Sequence, residues 1–371
     1  MRAQRFSSIH EVPEALWDGL LDDTQPWHRH RFLRAVEDAR VEDARFWYLV
    51  FYADDRPVAT AALSAFTVSL DLFLGRTVQR IVERLRRRWP RLLRLDVLFC
   101  GLPASLGQGN LVVTDPGLIA AVLTLLTQEM DAIARAEGLR FLCLKEFRHS
   151  ELEGVEGLER LGFFRGHSLP GMAMEIRWDS FGAYLASLRH SYRRRIKKSR
   201  AKLDRAPILG GPELVSPTRF HQLYSHVMAR ADTRLELLNQ AFFERLWVEL
   251  GTDLQLLSVR HDEEVVGAAL LLRTGSTLRF VLVGLPEQER TEEDVYLNLL
   301  YAIIDQAIRQ GCHHLVLGQT AYWSKQSIGG VPEPEYLYFK ASNRRLHAVL
   351  RLLRGILFPR VKLKTARVFH Q

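Results

Sequence analysis

The chain is poor in cysteine. Cys100, Cys143 and Cys312 are the only three in 371 residues, far apart and odd in number. With no CxxC pair, neither a zinc site nor a disulfide framework is indicated, and each cysteine sits in an apolar stretch as a small hydrophobe. That usage fits a reducing cytoplasm. No apolar run reaches the ~20 residues that a bilayer-spanning helix needs. Residues 1–12 lack the apolar centre of a signal peptide, so the chain is expected not to cross a membrane. There is no HExxH, no GxSxG and no placeable Cys/His pair, which removes the usual residues of metalloenzymes and serine hydrolases. No short-period repeat is present, which argues against a solenoid.

The composition that remains is that of a globular protein, 47% hydrophobic and 25% charged. At roughly 150 residues per domain, the length suggests two domains. Acid is missing locally. Residues 76–94 hold eight arginines against Glu83, residues 189–205 hold nine basic residues against Asp204, and nine basic residues follow Glu335 with no acid among them. These three stretches carry 26 of the 51 basic residues behind the net charge of +8. Clustered positive charge implies anionic partners: cofactor phosphates, nucleic acid or lipid headgroups.

Hydrophobic periodicity lays out two similar halves. In the first, a helix over 26–44 precedes a hairpin (46–52 and 58–66), a basic amphipathic helix (70–92) and a strand (93–101). A glycine-punctuated loop follows at 101–109, then a helix over 117–137 and strands at 140–147 and 172–178. In the second, a strongly basic helix (180–203) and helices at 218–231 and 239–250 precede a hairpin (254–273) and a strand (276–284). An acidic loop, a helix over 295–310, strands at 313–319 and 335–342, and a basic amphipathic helix over 344–357 complete it. The fold class expected is α/β, each half a mixed central sheet flanked by helices.

This doubled order resembles the GNAT acyltransferase superfamily, specifically the Fem-type peptidoglycan aminoacyltransferases and related enzymes with two tandem GNAT-like halves. The residues that carry the resemblance are Phe181, Tyr184, Leu185 and Leu188 running into Tyr192-Arg193-Arg194-Arg195-Ile196-Lys197-Lys198. With them go Glu264-Val265-Val266-Gly267-Ala268-Ala269, the helix from Ala302-Ile303 to Gly311, and Gly318-Gln319-Thr320-Ala321-Tyr322 followed by Lys325 and Gly329. The resemblance implies domains at 1–175 and 176–371 and transfer of an acyl group to an amine by direct attack. The donor it implies is an acyl-CoA or other acyl thioester, or alternatively an aminoacyl-tRNA in Fem-like peptidoglycan branching. No tightly bound cofactor and no metal are implied. The acceptor amine would belong to a lipid or cell-envelope precursor, with the protein cytoplasmic and peripheral on the inner membrane face. A non-catalytic membrane- or nucleic-acid-binding protein on the same fold is the remaining class.

One departure stands out. GNAT domains hold the cofactor pyrophosphate on a glycine-rich turn that opens a helix, where N–H groups converge. Here the loop at 287–294 has no glycine and five acidic residues. The 101–109 loop, with Gly101, Gly107 and Gly109 and no acid, is the better phosphate cradle. Arg194, Lys197, Lys198 and Arg205 share one helical stripe suited to a phosphate-bearing donor. Gln319 to Lys325 follows a strand at the end where α/β sheets bind ligands. There Gln319 is a donor-binding candidate, Tyr322 a candidate acid for the leaving group, and Lys325 a cation for developing negative charge. Glu146, ending a strand at an expected interdomain cleft, is a candidate base, and His314 a second. Asp71 suits an N-cap or an amine contact.

Overall fold

The structure is a computed structural model that describes residues 1–69, 76–90, 92–104, 107–203, 208–231, 236–261, 264–287, 294–363 and 366–370. Asp71, Arg205 and most of the acidic 287–294 loop lie outside the described residues.

The chain forms two compact units. The first comprises Met1–Leu169, Asp232–Leu238 and Pro334–Val361; the second comprises Pro170–Ala231, Asn239–Glu333 and Lys362–Gln371. The sequence was expected to divide into contiguous stretches at 175; the units observed are interleaved.

In the first unit, strands β1 (Arg2–Phe6), β2 (Arg45–Ala53), β3 (Arg56–Ser69), β4 (Arg94–Cys100), β5 (Leu111–Val113), β6 (Phe141–Arg148) and β7 (Phe164–His167) come from the N-terminal part of the chain. Their order is β1-β2-β3-β4-β6, then a C-terminal strand inserted before β7, with β5 on β3. The second unit takes β8 (Gly171–Glu175), β9 (Ile208–Gly210), β10 (Leu254–His261), β11 (Glu264–Thr274), β12 (Thr277–Gly284), β13 (His314–Val316) and β14 (Val331–Glu333); β15 (Glu335–Ala341) is the strand inserted into the first sheet. The second sheet runs β14-β8-β13-β12-β11-β10-β9. The exchange is reciprocal: β8, from the first half of the sequence, lies between β13 and β14, and β15, from the second, lies between β6 and β7. In each sheet one central pair is parallel, β4 with β6 and β12 with β13, and the other pairings are antiparallel.

The helices of the first unit are α1 (Glu14–Asp18), α2 (His30–Asp38), α3 (Arg76–Arg86), α4 (Ile119–Ala136), α5 (Leu152–Val155) and α6 (Gly157–Arg160). Those of the second are α7 (Phe181–Ser187), α8 (His190–Arg200), α9 (Pro217–Arg230), α10 (Gln240–Leu250), α11 (Val295–Arg309) and α12 (Tyr322–Ser327); α13 (Arg344–Leu352) and α14 (Arg354–Leu357) return to the first. Val122, Leu123, Leu126, Met130 and Ile133 of α4 lie on one face and bury with Leu49, Ala61, Leu98 and Leu144 of the sheet. At about 1.5–3 kcal/mol per fully buried large side chain, this face anchors the unit. The second core is built alike, with Leu299, Leu300, Ile303, Ile304 and Ala307 of α11 over Val266, Leu271, Leu278 and Leu315.

Several expectations are corrected. Pro116–Ala136 spans 21 residues of mean hydropathy 1.4, long and apolar enough by length and composition to cross a membrane, contrary to the reading that no apolar stretch is. Its inward face is the core face just described. The 180–203 helix breaks at Leu188, which adopts extended backbone and bridges to Phe369. The 26–44 helix is confined to α2, because Arg40, Glu42 and Asp43 take left-handed backbone that a helix cannot continue through. β1, β5, β9 and β14 are short and were not anticipated.

Candidate functional site

The second unit gathers several of the candidates where β13 ends. β12 and β13 pair only over Thr277–Arg279 and His314–Val316, while β12 continues to Gly284. Past that point the chain turns sharply. Gly318, Thr320 and Ala321 have φ of 70°, 61° and 47°. Positive φ is free for glycine but strained for a β-branched threonine, and strain of this kind concentrates at functional sites. The turn delivers the chain into α12, which carries Tyr322 and Lys325.

Lys325 is only 3% exposed. Its Nζ donates to the carbonyls of Gly318 (3.2 Å) and Gln319 (2.5 Å), and stands 5.9 Å from the centre of the Phe280 ring. Burial pulls the ammonium pKa down to about 7. A lysine at that value exchanges a proton readily at neutral pH. Tyr322 donates its hydroxyl to the Pro170 carbonyl (3.1 Å), which fixes the ring.

On α12, Trp323 is 62% exposed and its ring is covered by the Arg195 guanidinium at 4.2 Å. This contact brings α8 to the Lys325 turn. α8 is anchored by buried Ile196 and by Asn298 Nδ2, which donates to the Ser199 carbonyl at 3.0 Å. Arg194, Lys197 and Lys198 are exposed on it. At the start of α11, the Asp294 carboxylate is bound by Lys202 at 3.1 Å. Sequence reading picked out the cations around Arg195 but not Arg195 itself, nor its ring partner.

His314 is not gathered there. It opens β13, exposed, 4.0 Å from Glu175 on β8. Four residues of near-extended chain, roughly 13 Å, separate it from Gly318.

The first unit holds the remaining candidates around the end of β6. Gly101 has φ of 148°, and a Cβ there would meet the Lys145 side chain at 2.7 Å. That glycine therefore makes room for a lysine stem. Gly109 backs onto the Glu146 carbonyl (3.5 Å), and Gly107 has φ of 76°. The loop leads not into a helix but into β5, and α4 follows only after Asp115, whose carboxylate already accepts the Gly117 N–H. Lys145 Nζ lies 3.5 Å from the Glu146 carboxylate and 5.6 Å from the Phe99 ring centre. Glu146 itself takes a left-handed φ of 68°. A residue not singled out from the sequence joins them: burial pushes the Glu236 carboxyl up to about 8, with Lys145 opposing and Glu146 and Glu42 adding to the shift. Glu42 also accepts the Leu237 N–H at 3.0 Å. Among the described residues, no group of three or more His, Cys, Asp or Glu side chains is placed to hold a metal ion.

A family model for FemAB-like proteins, described as peptidoglycan biosynthesis/recognition, matches residues 8–349. No curated protein matches by sequence. Among solved structures, FemX aligns over 95% of this chain and 100% of its own, with a TM-score of 0.59 at 14% identity. A tandem GNAT protein from the clavulanic acid biosynthesis pathway aligns over 92% of this chain and 99% of its own, with a TM-score of 0.52 at 9% identity. At such identities these likenesses concern the fold, which matches the expected pair of GNAT-like units. The family match extends over nearly the whole chain: the protein belongs to the FemAB-like family and is an acyltransferase of the acyl or aminoacyl type.

Proposed function

We propose that this protein transfers an aminoacyl group from an aminoacyl-tRNA to an amine of a cell-envelope precursor. The observation that carries the reading is Lys325, a buried lysine near neutrality at the end of a splayed parallel strand pair. In the reaction a neutral amine attacks the aminoacyl ester carbonyl and a tetrahedral oxyanion forms. The C–O bond to the tRNA ribose then breaks as the amide C–N bond is completed. The amine loses a proton and the departing ribose oxygen gains one. Lys325 has three N–H donors, of which two go to carbonyls. The third serves the oxyanion and then the leaving oxygen. Arg194, Lys197 and Lys198 receive the phosphates at the tRNA end, on a helix that Arg195 positions against Trp323.

The tRNA donor is preferred because a carboxylate stands near each helix start where a CoA pyrophosphate would sit, Asp115 before α4 and Asp294 before α11. Asp115 already accepts the Gly117 N–H, and the Asp294 carboxylate, though bound by Lys202, puts negative charge where an anion would meet the start of α11. An acyl-CoA donor is the second reading, favoured by the similarity in fold to the tandem GNAT protein from the clavulanic acid pathway, whose structure is the form without AcCoA. The test is a transfer assay with aminoacyl-tRNA labelled in the amino acid and a peptidoglycan precursor bearing a free amine. Label should reach the precursor, the rate should fall steeply with salt, and Lys325→Met should lower it about 10²–10³-fold. Transfer from acyl-CoA with none from tRNA would overturn the donor assignment.

A further inference from the structure

We propose that α3 and the α13–α14 segment form a docking surface for an anionic lipid bilayer, independent of the transfer chemistry. Both belong to the first unit. On α3 and the turn after it, Ile81 (50% exposed), Leu85 (41%) and Trp89 (60%) are spaced four apart, and the Trp89 N–H donates to the Leu85 carbonyl (2.9 Å), so the helical winding continues to Trp89. Residues at this spacing share one face. Val82 is buried at 5% and anchors the helix, leaving the stripe in solvent. Arg84, Arg86 and Arg88 flank it, and Glu83, the acid of this segment, falls on the opposite side with Arg80 and Arg87 at 100° per residue.

The C-terminal segment repeats the design. Leu346, Leu350 and Leu357 pack on the first sheet with Phe66, Val68 and Leu95. Beside that buried row, Val349 (51%), Leu352 (83%), Leu353 (38%) and Ile356 (67%) form a second row, at spacings of three and four, exposed among the described residues. The neighbouring charges are Arg345, Arg351 and Arg354, and no acid follows Glu335. Phe66, Val68 and Leu95 are the ends of β3 and β4 between which α3 is inserted in the sequence, and Val68 pairs with Leu95. Two arginine-bordered apolar stripes thus belong to the same margin of one sheet.

Charge complementarity selects the occupant. Apolar side chains at helical spacing, with a tryptophan and bordering arginines, match the interface of a bilayer carrying anionic headgroups. A nucleic acid offers phosphates to the arginines but nothing to Leu352 and Ile356. A two-fold contact between copies would set arginine against arginine.

The experiment is vesicle flotation of the full chain on phosphatidylcholine alone and on phosphatidylcholine with phosphatidylglycerol, comparing wild type with Leu352→Glu/Ile356→Glu and Ile81→Glu/Trp89→Glu. These side chains are exposed, so the variants should melt like the wild type. Flotation on the anionic vesicles only, lowered about tenfold or more in each double variant, supports the proposal. It is overturned if the wild type stays unbound, if the variants float as well as the wild type, or if the same variants dissolve a dimer or release tRNA while vesicle binding is unchanged.

Discussion

The two units place a lysine alike and use it in opposite surroundings. Phe99 lies on β4 and Phe280 on β12, topologically equivalent strands, each antiparallel to a hairpin strand and parallel to the next. A lysine ammonium stands over each ring, Lys145 at 5.6 Å and Lys325 at 5.9 Å. Lys145 comes from the strand itself and meets the carboxylate of Glu146, with Glu236 nearby. Lys325 comes from the helix α12 that follows the strand β13, and donates to two carbonyls. A paired charge is stable as it stands. A charge held by dipoles in a dry place is poised to give up its proton. On this difference rests the proposal that Lys325 of the second unit serves the transfer.

The largest expected effect breaks that comparison. Lys325→Met should lower the transfer rate about 10²–10³-fold, the scale for loss of one oxyanion donor, with little change in acceptor KM. Lys145→Met should change the rate less than about tenfold. Steady-state kinetics on both variants decide it. Equal losses would mean that the paired lysine also reaches the reacting atoms.

The buried charges also predict opposite pH slopes. Lys325 has a folded pKa of about 7 against 10.5 for a free lysine. Between these values the unfolded chain binds the extra proton, so this residue makes stability rise with pH across the window. Lys325→Met should therefore be the more stable protein at pH 7 and below, by about 4–5 kcal/mol, the gap closing toward pH 10. Glu236 runs the other way. Its folded pKa near 8 exceeds 4.5, so the folded chain holds the proton and stability falls as pH rises through that range. Glu236→Gln should flatten the fall, by about 3 kcal/mol between pH 5 and 8. Thermal melts of the wild type and both variants across pH 5–10 give both signs.

How much of this was legible follows from the range of each interaction. The hairpins β2–β3 and β10–β11 announced themselves because alternation is local, and α4 and α11 because their apolar faces repeat over four or five turns. The exchange of β8 and β15 was not readable, because a strand's sequence records its burial but not the sheet that buries it. Lys325 could be named from its place after a strand, yet its six-residue helix is too short for periodicity to show. Glu236 carried no signal, since its environment is assembled by residues nearly 100 and 200 positions away, around Lys145 and Glu42.

Arg195 marks the finest of these limits and gives the smallest expected effect. In a run of basic residues, one arginine is distinguished only by what it touches, and here that is the face of Trp323. A cation–π contact at an exposed ring is worth about 0.5–1 kcal/mol. Trp323→Ala should accordingly weaken donor binding about two- to fivefold, leave kcat near the wild-type value and leave the salt dependence unchanged. Lys197→Ala with Lys198→Ala should weaken binding and also flatten the salt slope, by about one to two phosphate equivalents. Measuring KM against salt for both separates a positioning contact from a counter-charge. If Trp323→Ala also flattened the slope, Arg195 would be held on phosphate by its ring, and the aromatic would be part of the electrostatic site rather than its neighbour.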